Sequence, residues 1–356
     1  MTAPRQVVPG RESVITRRCS QRQFLLKPSD ELTAVFLYLL AAIAGVFDIT
    51  VLAYVAMSNH MHLVVRDNDG RLPEFLCHLN KMIAKVLNPF WGRTENFWSN
   101  EQVSVVHLVQ ANDRLEKIIY TLANPVAAHL VARAQEWPGA TAYTQLLSGK
   151  TLTFKRPKRF FRKSSAMPAS ATLTLGRPTG FEALTHEQWA EKVQEGVQKA
   201  EKKAQAERDE DPAVRDRFVG RAGVLAASHL QLGTRPEKRN DENPILACLN
   251  GERRDQELAA VDQFRHEHAE ARKKYRKNKR DAVFPFGTYQ MKKLGARVRR
   301  EPPDLGAADA ATPAPRAPRG TNQGTREKSA KPDIRKSARR AKIASAARSR
   351  MTPRAS

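Results

Sequence analysis

The sequence predicts an α+β fold in which a small antiparallel sheet is flanked by helices, followed by a basic, partly helical and partly disordered C-terminal region. Short apolar runs with strand character alternate with helical patterns through the first 150 residues. Positive charge is concentrated in the rest of the chain. We therefore expect a compact domain at 1–150, a basic accessory region with charged helices at 151–300 and a disordered basic tail at 301–356.

The first two elements are a strand and a buried helix. Residues 14–19 have the composition of a strand. The apolar run that follows predicts a helix over about 31–47, with Ser29 or Asp30 as its N-cap. The apolar stretch is too short to span a bilayer and no signal peptide is recognisable, so we expect a cytoplasmic protein without a membrane partner.

The next stretch, residues 52–66, reads as one strand interrupted at Ser58 and Asn59. Side chains alternate faces along a strand, so His60 and His62 share one face while the other is apolar. Two imidazoles at this spacing can reach one metal ion. The alternative is a pair of half-exposed histidines without a ligand.

A second His-x-His sequence serves as a control. His266 and His268 lie in a charged run with no strand pattern. On a helix, positions i and i+2 point in different directions and cannot chelate one ion. We therefore interpret this pair as part of a solvated face.

Two further helices enclose another strand. A helix is predicted over about 72–87, with a break at Asn88 and Pro89. A mixed apolar run predicts a strand over about 103–109. A third helix begins near Asn112, and Pro125 should end or kink it.

The third helix carries a tyrosine beside its apolar stripe. Tyr120 falls on the side shared with Glu116 and Asn124, each four residues away. Two alternatives remain open: Tyr120 is a half-buried tyrosine without a chemical role, and Asn124 is only a helix stop before Pro125.

The charge distribution indicates a polyanionic partner. Residues 1–150 carry 15 basic and 12 acidic side chains, whereas the rest carries 46 and 25. Such an excess favours nucleic acid through counterion release. The run at 155–163, KRPKRFFRK, either contacts nucleic acid, with aromatics stacking on bases, or is a solvated linker.

The C-terminal half is predicted to hold two charged helices, at 181–210 and 253–280, the first of them exposed. An apolar segment at 283–289 is expected to dock back on the domain. The stretch 311–356 has 13 basic and 2 acidic side chains, a composition that suits nonspecific contact with nucleic acid.

Several chemistries lack support in the sequence. Cys19, Cys77 and Cys248 show no paired spacing, which fits a reducing compartment and argues against a zinc knuckle. No phosphate-binding glycine loop and no motif for serine or thiol catalysis is present. Zinc hydrolysis would need a third strong ligand, and the spacing of the other histidines (His78, His107 and His129) singles out none.

The remaining parts suggest cleavage of a phosphodiester. A tyrosine hydroxyl is a poor nucleophile at its usual pKa of about 10. A metal that polarises the phosphodiester makes attack easier. Tyrosine, metal-competent histidines and a basic chain together point to a DNA-nicking enzyme with a covalent phosphotyrosine step.

At this point a family resemblance can be stated. Residues 54–65, YVAMSNHMHLVV, resemble the His-hydrophobic-His (HUH) block of the single-tyrosine transposases, in particular the REP-associated tyrosine transposases and their IS200-like insertion-sequence relatives. Further blocks follow the family's order: 17–24 resembles the opening strand, 97–99 the aromatic block, and 120–131 with 137–139 the nucleophile segment. The likeness covers about residues 12–145.

The resemblance implies a fold and roles for particular residues. The family has an HUH, ferredoxin-like sheet with flanking helices. His60 and His62 would bind Mg²⁺ or Mn²⁺, with Asn124 as a third ligand. Tyr120 would attack single-stranded DNA, giving a 5′-phosphotyrosine and a free 3′-hydroxyl.

The implied partner is single-stranded DNA, with hairpin or palindromic repeats, bound by a monomer or a homodimer associated with the nucleoid. Several basic side chains are expected to contact this DNA: Arg17, Arg18, Arg22, Lys155, Arg156, Lys158 and Arg159.

One departure and three alternatives accompany the resemblance. The family often has glycine where His129 stands, which we interpret as a tolerated surface change. The alternatives are a catalytically silent nucleic-acid-binding protein, a metal-dependent phosphodiesterase without a covalent step, and a replication-initiation nickase. The last usually has a helicase domain, whose phosphate-binding loop is missing here.

Overall fold

A central five-stranded sheet organises the chain, as seen in a computed structural model that describes residues 3–233, 244–278 and 281–300. The strands are β1 Arg11–Arg18, β2 Ile49–Ala56, β3 His60–Asp67, β4 Ser104–Leu108, β5 Leu152–Lys155, β6 Ser170–Leu173, β7 Leu246–Ala247, β8 Val283–Phe284 and β9 Arg297–Val298. The helices are α1 Asp30–Phe47, α2 Leu72–Phe90, α3 Ala111–Ala127, α4 Tyr143–Ser148, α5 His186–Glu210, α6 Pro212–Arg215, α7 Gly220–Ala226, α8 Gly251–Lys277 and α9 Tyr289–Lys293.

The order of strands in this sheet is β2-β3-β1-β4-β7. The first four strands pair antiparallel, and the short β7 joins β4 in parallel. The predicted α+β class is confirmed, with the one parallel edge strand as an addition that the sequence did not predict.

The histidine stretch is a hairpin, so its prediction as one interrupted strand is wrong. β2 ends at Ala56 and β3 begins at His60. The backbone N–H of Met57 donates to the carbonyl of His60 at 2.8 Å across Ser58 and Asn59. Serine and asparagine favour turns because their side chains bond to nearby backbone, which is why the chain reverses here.

The register between β1 and β3 decides which side chains meet beside the histidines. Thr16 lies opposite His62, and Glu12 lies opposite Arg66. Because side chains alternate along β1, Glu12 and Thr16 point to the same face as His62. Helix α3 contacts β2, β3 and β4 and covers this face.

Helix α1 is a core helix on the side of the sheet away from α3. Ser29 is its cap, since its side chain accepts from Leu32 N–H at 3.2 Å. By length and composition α1 alone among the described helices could cross a membrane, but 11 of its 18 residues are buried and it packs against α2.

The two proline-bearing helices run one to three residues past their predicted ends. Helix α2 runs through Pro89 to Phe90, and α3 runs through Pro125 to Ala127. Each proline lacks the N–H that would bond to the carbonyl four residues earlier, and each helix ends one or two residues after its proline. As a result, Asn124 remains helical one turn beyond Tyr120.

Helix α5 is less exposed than predicted. One of its stripes (Trp189, Val193 and Val197) is buried, and the helix packs along α3. The helices approach closely at Gly196, where an added Cβ would come within 2.2 Å of the Ile119 side chain. Helix α3 is therefore held between the sheet and α5.

The C-terminal part folds back as expected. The N–H of Val7 donates to the carbonyl of Gly287 at 2.9 Å, and α8 confirms the second charged helix.

His266 and His268 lie on α8. The ring of His268 packs against the ring of Phe284 at 5.2 Å, so only part of the predicted solvated face is solvated. The described residues all belong to one compact unit. The division at residue 150 stays a prediction, and the predicted disordered tail lies outside the described residues.

Candidate active site

The two histidines converge at the start of β3. Their Nε2 atoms lie 3.1 Å apart. Each ring is fixed by a partner at its other nitrogen: Asn59 Oδ1 lies 2.6 Å from His60 Nδ1, and Thr16 Oγ1 lies 2.8 Å from His62 Nδ1. The two imidazoles are therefore held with their Nε2 atoms directed at a common point.

Both histidines are held in the neutral form. Burial, together with the charges of Arg18 and Arg22, lowers the pKa of His60 to about 4. Burial, His60 and Arg18 lower the pKa of His62 well below its usual value. Neutral imidazole is the form that binds metals, so both rings are ready ligands at pH 7.

The arrangement at Nδ1 fits a cation between the rings. The side-chain carbonyl oxygen of Asn59 can only accept a hydrogen bond. His60 therefore donates its Nδ1–H to this oxygen and keeps a lone pair on Nε2. The Thr16 hydroxyl can accept from His62 in the same way. With both rings in this tautomer, two lone pairs lie 3.1 Å apart and a cation bound by both removes their repulsion. Neighbouring ligands of an octahedral Mg²⁺, each at about 2.1 Å, are also about 3 Å apart.

Asn124 reaches the same point from α3. Its amide nitrogen lies 3.4 Å from His62 Nε2, and a half-turn of the amide would present its oxygen there. No group of three His, Cys, Asp or Glu side chains within the described ranges could hold a metal. The amide oxygen of Asn124 is therefore the nearest candidate for a third metal ligand beside His60 and His62. Because α3 continues past this position, the interpretation of Asn124 as a helix stop is wrong.

Tyr120 stands beside the histidines and open to solvent. Its side chain is 48% exposed, and its ring meets the ring of His62 edge-on at 5.5 Å. The Lys117 ammonium lies 5.5 Å from the centre of the tyrosine ring. An accessible hydroxyl next to a potential metal site is the arrangement that nucleophilic attack on a phosphodiester requires.

The loop after β1 adds positive charge. Arg18 and Arg22 are close enough to depress the pKa of His60. Gln21 and Arg22 both adopt left-handed φ angles, of 50° and 55°. Such angles in non-glycine residues cost about 1–3 kcal/mol each and persist where surrounding structure enforces them. The loop holds Arg22 near the histidines at a cost in backbone strain.

The other predicted DNA contacts lie away from this cluster. Arg17 points to the opposite face, where it donates to the carbonyl of Glu101 and lies over the Trp98 ring. Arg156 donates to the carbonyls of its own loop, and Arg159 pairs with Glu31 on α1. The exposed Lys155 and Lys158 are in the same region. The structure does not bring these five side chains to the histidines.

His129 is buried, so its interpretation as a surface change is wrong. It is 4% exposed, and its Nε2 lies 3.6 Å from Glu207 Oε2 on α5. Its φ is 57°, directly after the C-cap Ala128. Glycine is favoured at this position of a helix end because it adopts positive φ without strain. The other histidines, including His107 on the opposite face of the sheet, do not join the pair.

Sequence reasoning missed three neighbours of the site: Thr16, Asn59 and Lys117. Thr16 was predicted to lie in a strand, but its place opposite His62 needs the register. Asn59 was read as an interruption, although its position next to His60 was a usable signal. Lys117, three residues before Tyr120, follows from helical spacing.

Comparisons with known proteins were made for the sequence and for the fold. No family model matches the sequence, and no curated protein matches it. One solved structure similar to the chain is a REP-associated tyrosine transposase bound to a REP hairpin, with 14% identity and a TM-score of 0.36. That match covers 50% of this chain and 98% of the other.

Another similar structure is a transposase-like protein from Deinococcus radiodurans, with 20% identity and a TM-score of 0.26. It covers 34% of this chain and 95% of the other. With such TM-scores the matches carry no argument about mechanism, which depends on the site itself.

Proposed function

We propose that this chain is a transposase that nicks and rejoins single-stranded DNA, with Tyr120 as the nucleophile. The observation that carries the proposal is the convergence of four side chains from β3 and α3. Two neutral histidines face each other at 3.1 Å, Asn124 reaches them from α3, and the exposed Tyr120 packs against one of them.

The proposed step is a transesterification. The Tyr120 hydroxyl oxygen attacks phosphorus and forms a P–O bond, while the bond from phosphorus to the 3′ oxygen breaks. The phenolic proton passes to water, and the leaving 3′ oxygen takes up a proton. The products are a 5′-phosphotyrosine and a 3′-hydroxyl. Attack by a 3′-hydroxyl reverses the step and needs no ATP, since the phosphodiester energy is retained.

A divalent ion, Mg²⁺ or Mn²⁺, would be held by His60, His62 and the amide oxygen of Asn124. When bound there, such an ion supplies Lewis-acid polarisation of a phosphate oxygen. The chain's own residues supply the rest. Thr16 and Asn59 fix the two imidazole rings, and positive charge near the site attracts the DNA backbone.

Hairpin-associated sites are the proposed targets. The structural neighbour described above was solved with a REP hairpin, and the present chain has a net charge of +24. A chain this basic binds DNA through many phosphate contacts. The proposal leaves the oligomeric state as monomer or homodimer.

The test is to trap the covalent intermediate. Labelled single-stranded DNA containing hairpins from beside the gene is incubated with protein and Mn²⁺ and separated on a denaturing gel. Parallel reactions contain Tyr120→Phe, His62→Ala or EDTA. A matched control is Tyr275→Phe, which alters a tyrosine on α8 whose ring lies 5.8 Å from that of Phe284.

The expected result is a DNA-linked protein band that disappears with Tyr120→Phe, His62→Ala and EDTA and persists in the control. Cleavage without a linked band, unchanged in Tyr120→Phe, would indicate a hydrolytic phosphodiesterase and contradict the proposal. Tight binding without cleavage on every hairpin would support the catalytically silent binder instead.

A further inference from the structure

A cavity of about 260 Å³ lies on the face of the sheet opposite to Tyr120. Its floor contains Ser13 of β1 and His107 of β4, which lie opposite each other in the sheet. The N-terminal segment, α2, α8 and α9 form its walls. The cavity plays no part in the chemistry proposed for Tyr120.

Two guanidinium groups face this cavity without a carboxylate partner among the described residues. Half-buried Arg11 donates to the Gln6 side chain at 3.4 Å, and Arg5 at the mouth donates to the carbonyl of Val103 at 2.5 Å. Burial lowers the pKa of Arg11, an effect that Glu257 partly offsets. Positive charge that is partly desolvated, with no carboxylate at salt-bridge distance in the described part of the chain, favours an anionic ligand.

The nearby carboxylates are engaged elsewhere. Asp67 accepts the backbone N–H groups of Arg71 and Leu72 at 2.7 and 2.9 Å. Glu257 pairs with Arg253 at 2.9 Å on the surface of α8. The two arginines at the cavity are therefore left to neutralise a charge from outside the chain.

The rest of the lining suits a heterocyclic ring. Phe264 and Tyr289 contribute aromatic rings, and Leu76 and Val105 contribute apolar surface. His107 bonds through Nδ1 to Ser13 Oγ at 3.0 Å. Burial, followed by the charges of Arg11 and Arg5, lowers the pKa of His107 to about 3. The histidine is thus neutral and offers a hydrogen bond rather than a charge.

We propose that this cavity binds a single nucleotide, with its phosphate held by Arg5 and Arg11 and its base placed against the aromatic rings. Arginine binds phosphate through two parallel hydrogen bonds, and bases stack on aromatic side chains. The volume of about 260 Å³ is slightly below the range of about 300–1,000 Å³ usual for ligand sites, so the cavity admits at most one nucleotide and excludes a duplex. The nucleotide is either free or an unpaired unit of a DNA strand.

Calorimetric titration of the full chain with each of the four deoxynucleoside monophosphates tests the proposal. The matching deoxynucleosides and inorganic phosphate form separate arms. We expect at least one monophosphate to bind about tenfold more tightly than its nucleoside or phosphate alone, because ring and anion are recognised together. Arg11→Gln and Arg5→Gln should each weaken that binding about tenfold.

Arg254→Gln is the matched control, since it removes the same charge from an exposed position on α8. It should bind the monophosphate like the wild type. If Arg11→Gln does not fold, as judged by circular dichroism, the exposed Arg5→Gln still gives the answer. The proposal is overturned if no monophosphate binds at millimolar concentration, if phosphate alone binds equally well, or if both arginine variants bind normally.

A competition arm distinguishes the two sources of the nucleotide. If a single-stranded hairpin oligonucleotide displaces the bound monophosphate and Arg5→Gln weakens the oligonucleotide, the occupant is an unpaired unit of the strand. If it does not compete, the occupant is a free nucleotide; both results support the site. The Tyr120→Phe variant should bind monophosphates normally. Absence of monophosphate binding would therefore overturn the cavity proposal without bearing on the proposed DNA cleavage.

Discussion

The two ends of the interface between α3 and the sheet differ in how their polar groups are satisfied. At one end, Glu12 is buried and forms ion pairs with Arg66 at 2.7 Å and Arg114 at 2.6 Å. Its Oε1 also accepts from the backbone N–H of Thr179 at 3.0 Å. At the other end, the Nε2 atoms of His60 and His62 lie 3.1 Å apart beside the exposed Tyr120.

The difference separates a structural cluster from a reactive one. Arg114 and Asn124 are ten residues apart, about 15 Å along one helix. The closed cluster around Glu12 fixes α3 on the sheet, and that placement positions Asn124 and Tyr120 at the open end. Chemistry is expected only at the open end, where fixed side chains surround an exposed tyrosine.

The largest expected effect is on cleavage at the open end. Tyr120→Phe removes only the hydroxyl, so strand cleavage should fall by at least about a thousandfold, as for loss of a covalent nucleophile. The free energy of unfolding should stay within about 0.5 kcal/mol, because the side chain is half exposed. Cleavage is measured on a labelled hairpin oligonucleotide and stability by urea unfolding. Cleavage at the wild-type rate would remove Tyr120 from the mechanism.

The opposite result is expected at the closed end. Glu12→Gln leaves two arginines without their carboxylate and should lower the free energy of unfolding by about 3 kcal/mol. The exposed Glu116→Gln on α3 is the control and should change it by less than about 0.5 kcal/mol. Cleavage per folded molecule should be unchanged. A stable Glu12→Gln protein that cleaves slowly would show that the two ends are not separate in role.

The pH dependence of the free energy of unfolding distinguishes the two ends of the interface between α3 and the sheet, and it can be measured without DNA. The pKa of His60 is lowered to about 4 in the folded protein, against about 6.5 unfolded. The unfolded state therefore binds more protons in this range, and the stability present above pH 6.5 is lost as pH falls toward 4. The loss attributable to His60 should be about 3 kcal/mol. Urea unfolding in EDTA measures it, and His60→Gln should reduce the slope; an unchanged slope would contradict the buried neutral state.

The smallest effect tests the support of the histidines. Thr16→Val removes the hydroxyl at His62 Nδ1 and should weaken Mn²⁺ binding about 10- to 100-fold, the usual effect of losing a partner of a metal-bound histidine. Thr172→Val, at an exposed position of β6, is the matched control. Calorimetric titration with Mn²⁺ gives both affinities. Equal affinities in the two variants would show that Thr16 does not orient the ring.

Local patterns made much of this site predictable. Alternation on the strand placed His60 and His62 on one face, and helical spacing placed Tyr120 and Asn124 together. The proline rule placed the end of α3 near Asn124, three residues early, because Pro125 removes only its own N–H bond and Ala128 N–H still donates to the Asn124 carbonyl. The closed cluster could not be predicted, since Glu12, Arg66 and Arg114 are distant in sequence and meet only through the register of β1 and β3.

Charge counts were a weaker guide than spacing. Lys155, Arg156, Lys158 and Arg159 were expected at the DNA by their density, but two of these side chains bond within their loop or to α1. Likewise, the polar composition of α5 concealed the stripe that packs on α3. Composition reports the partner's charge, whereas the fold decides which cations face it.

The most direct test of the central claim is to locate the DNA adduct on the protein. Wild-type protein trapped with a hairpin substrate and Mn²⁺ is digested with protease and nuclease, and the modified peptide is sequenced by mass spectrometry. The account predicts a nucleotide joined through its 5′-phosphate to Tyr120 and a free 3′-hydroxyl on the released strand. An adduct on another residue, or cleaved ends with no adduct at any time point, would contradict it.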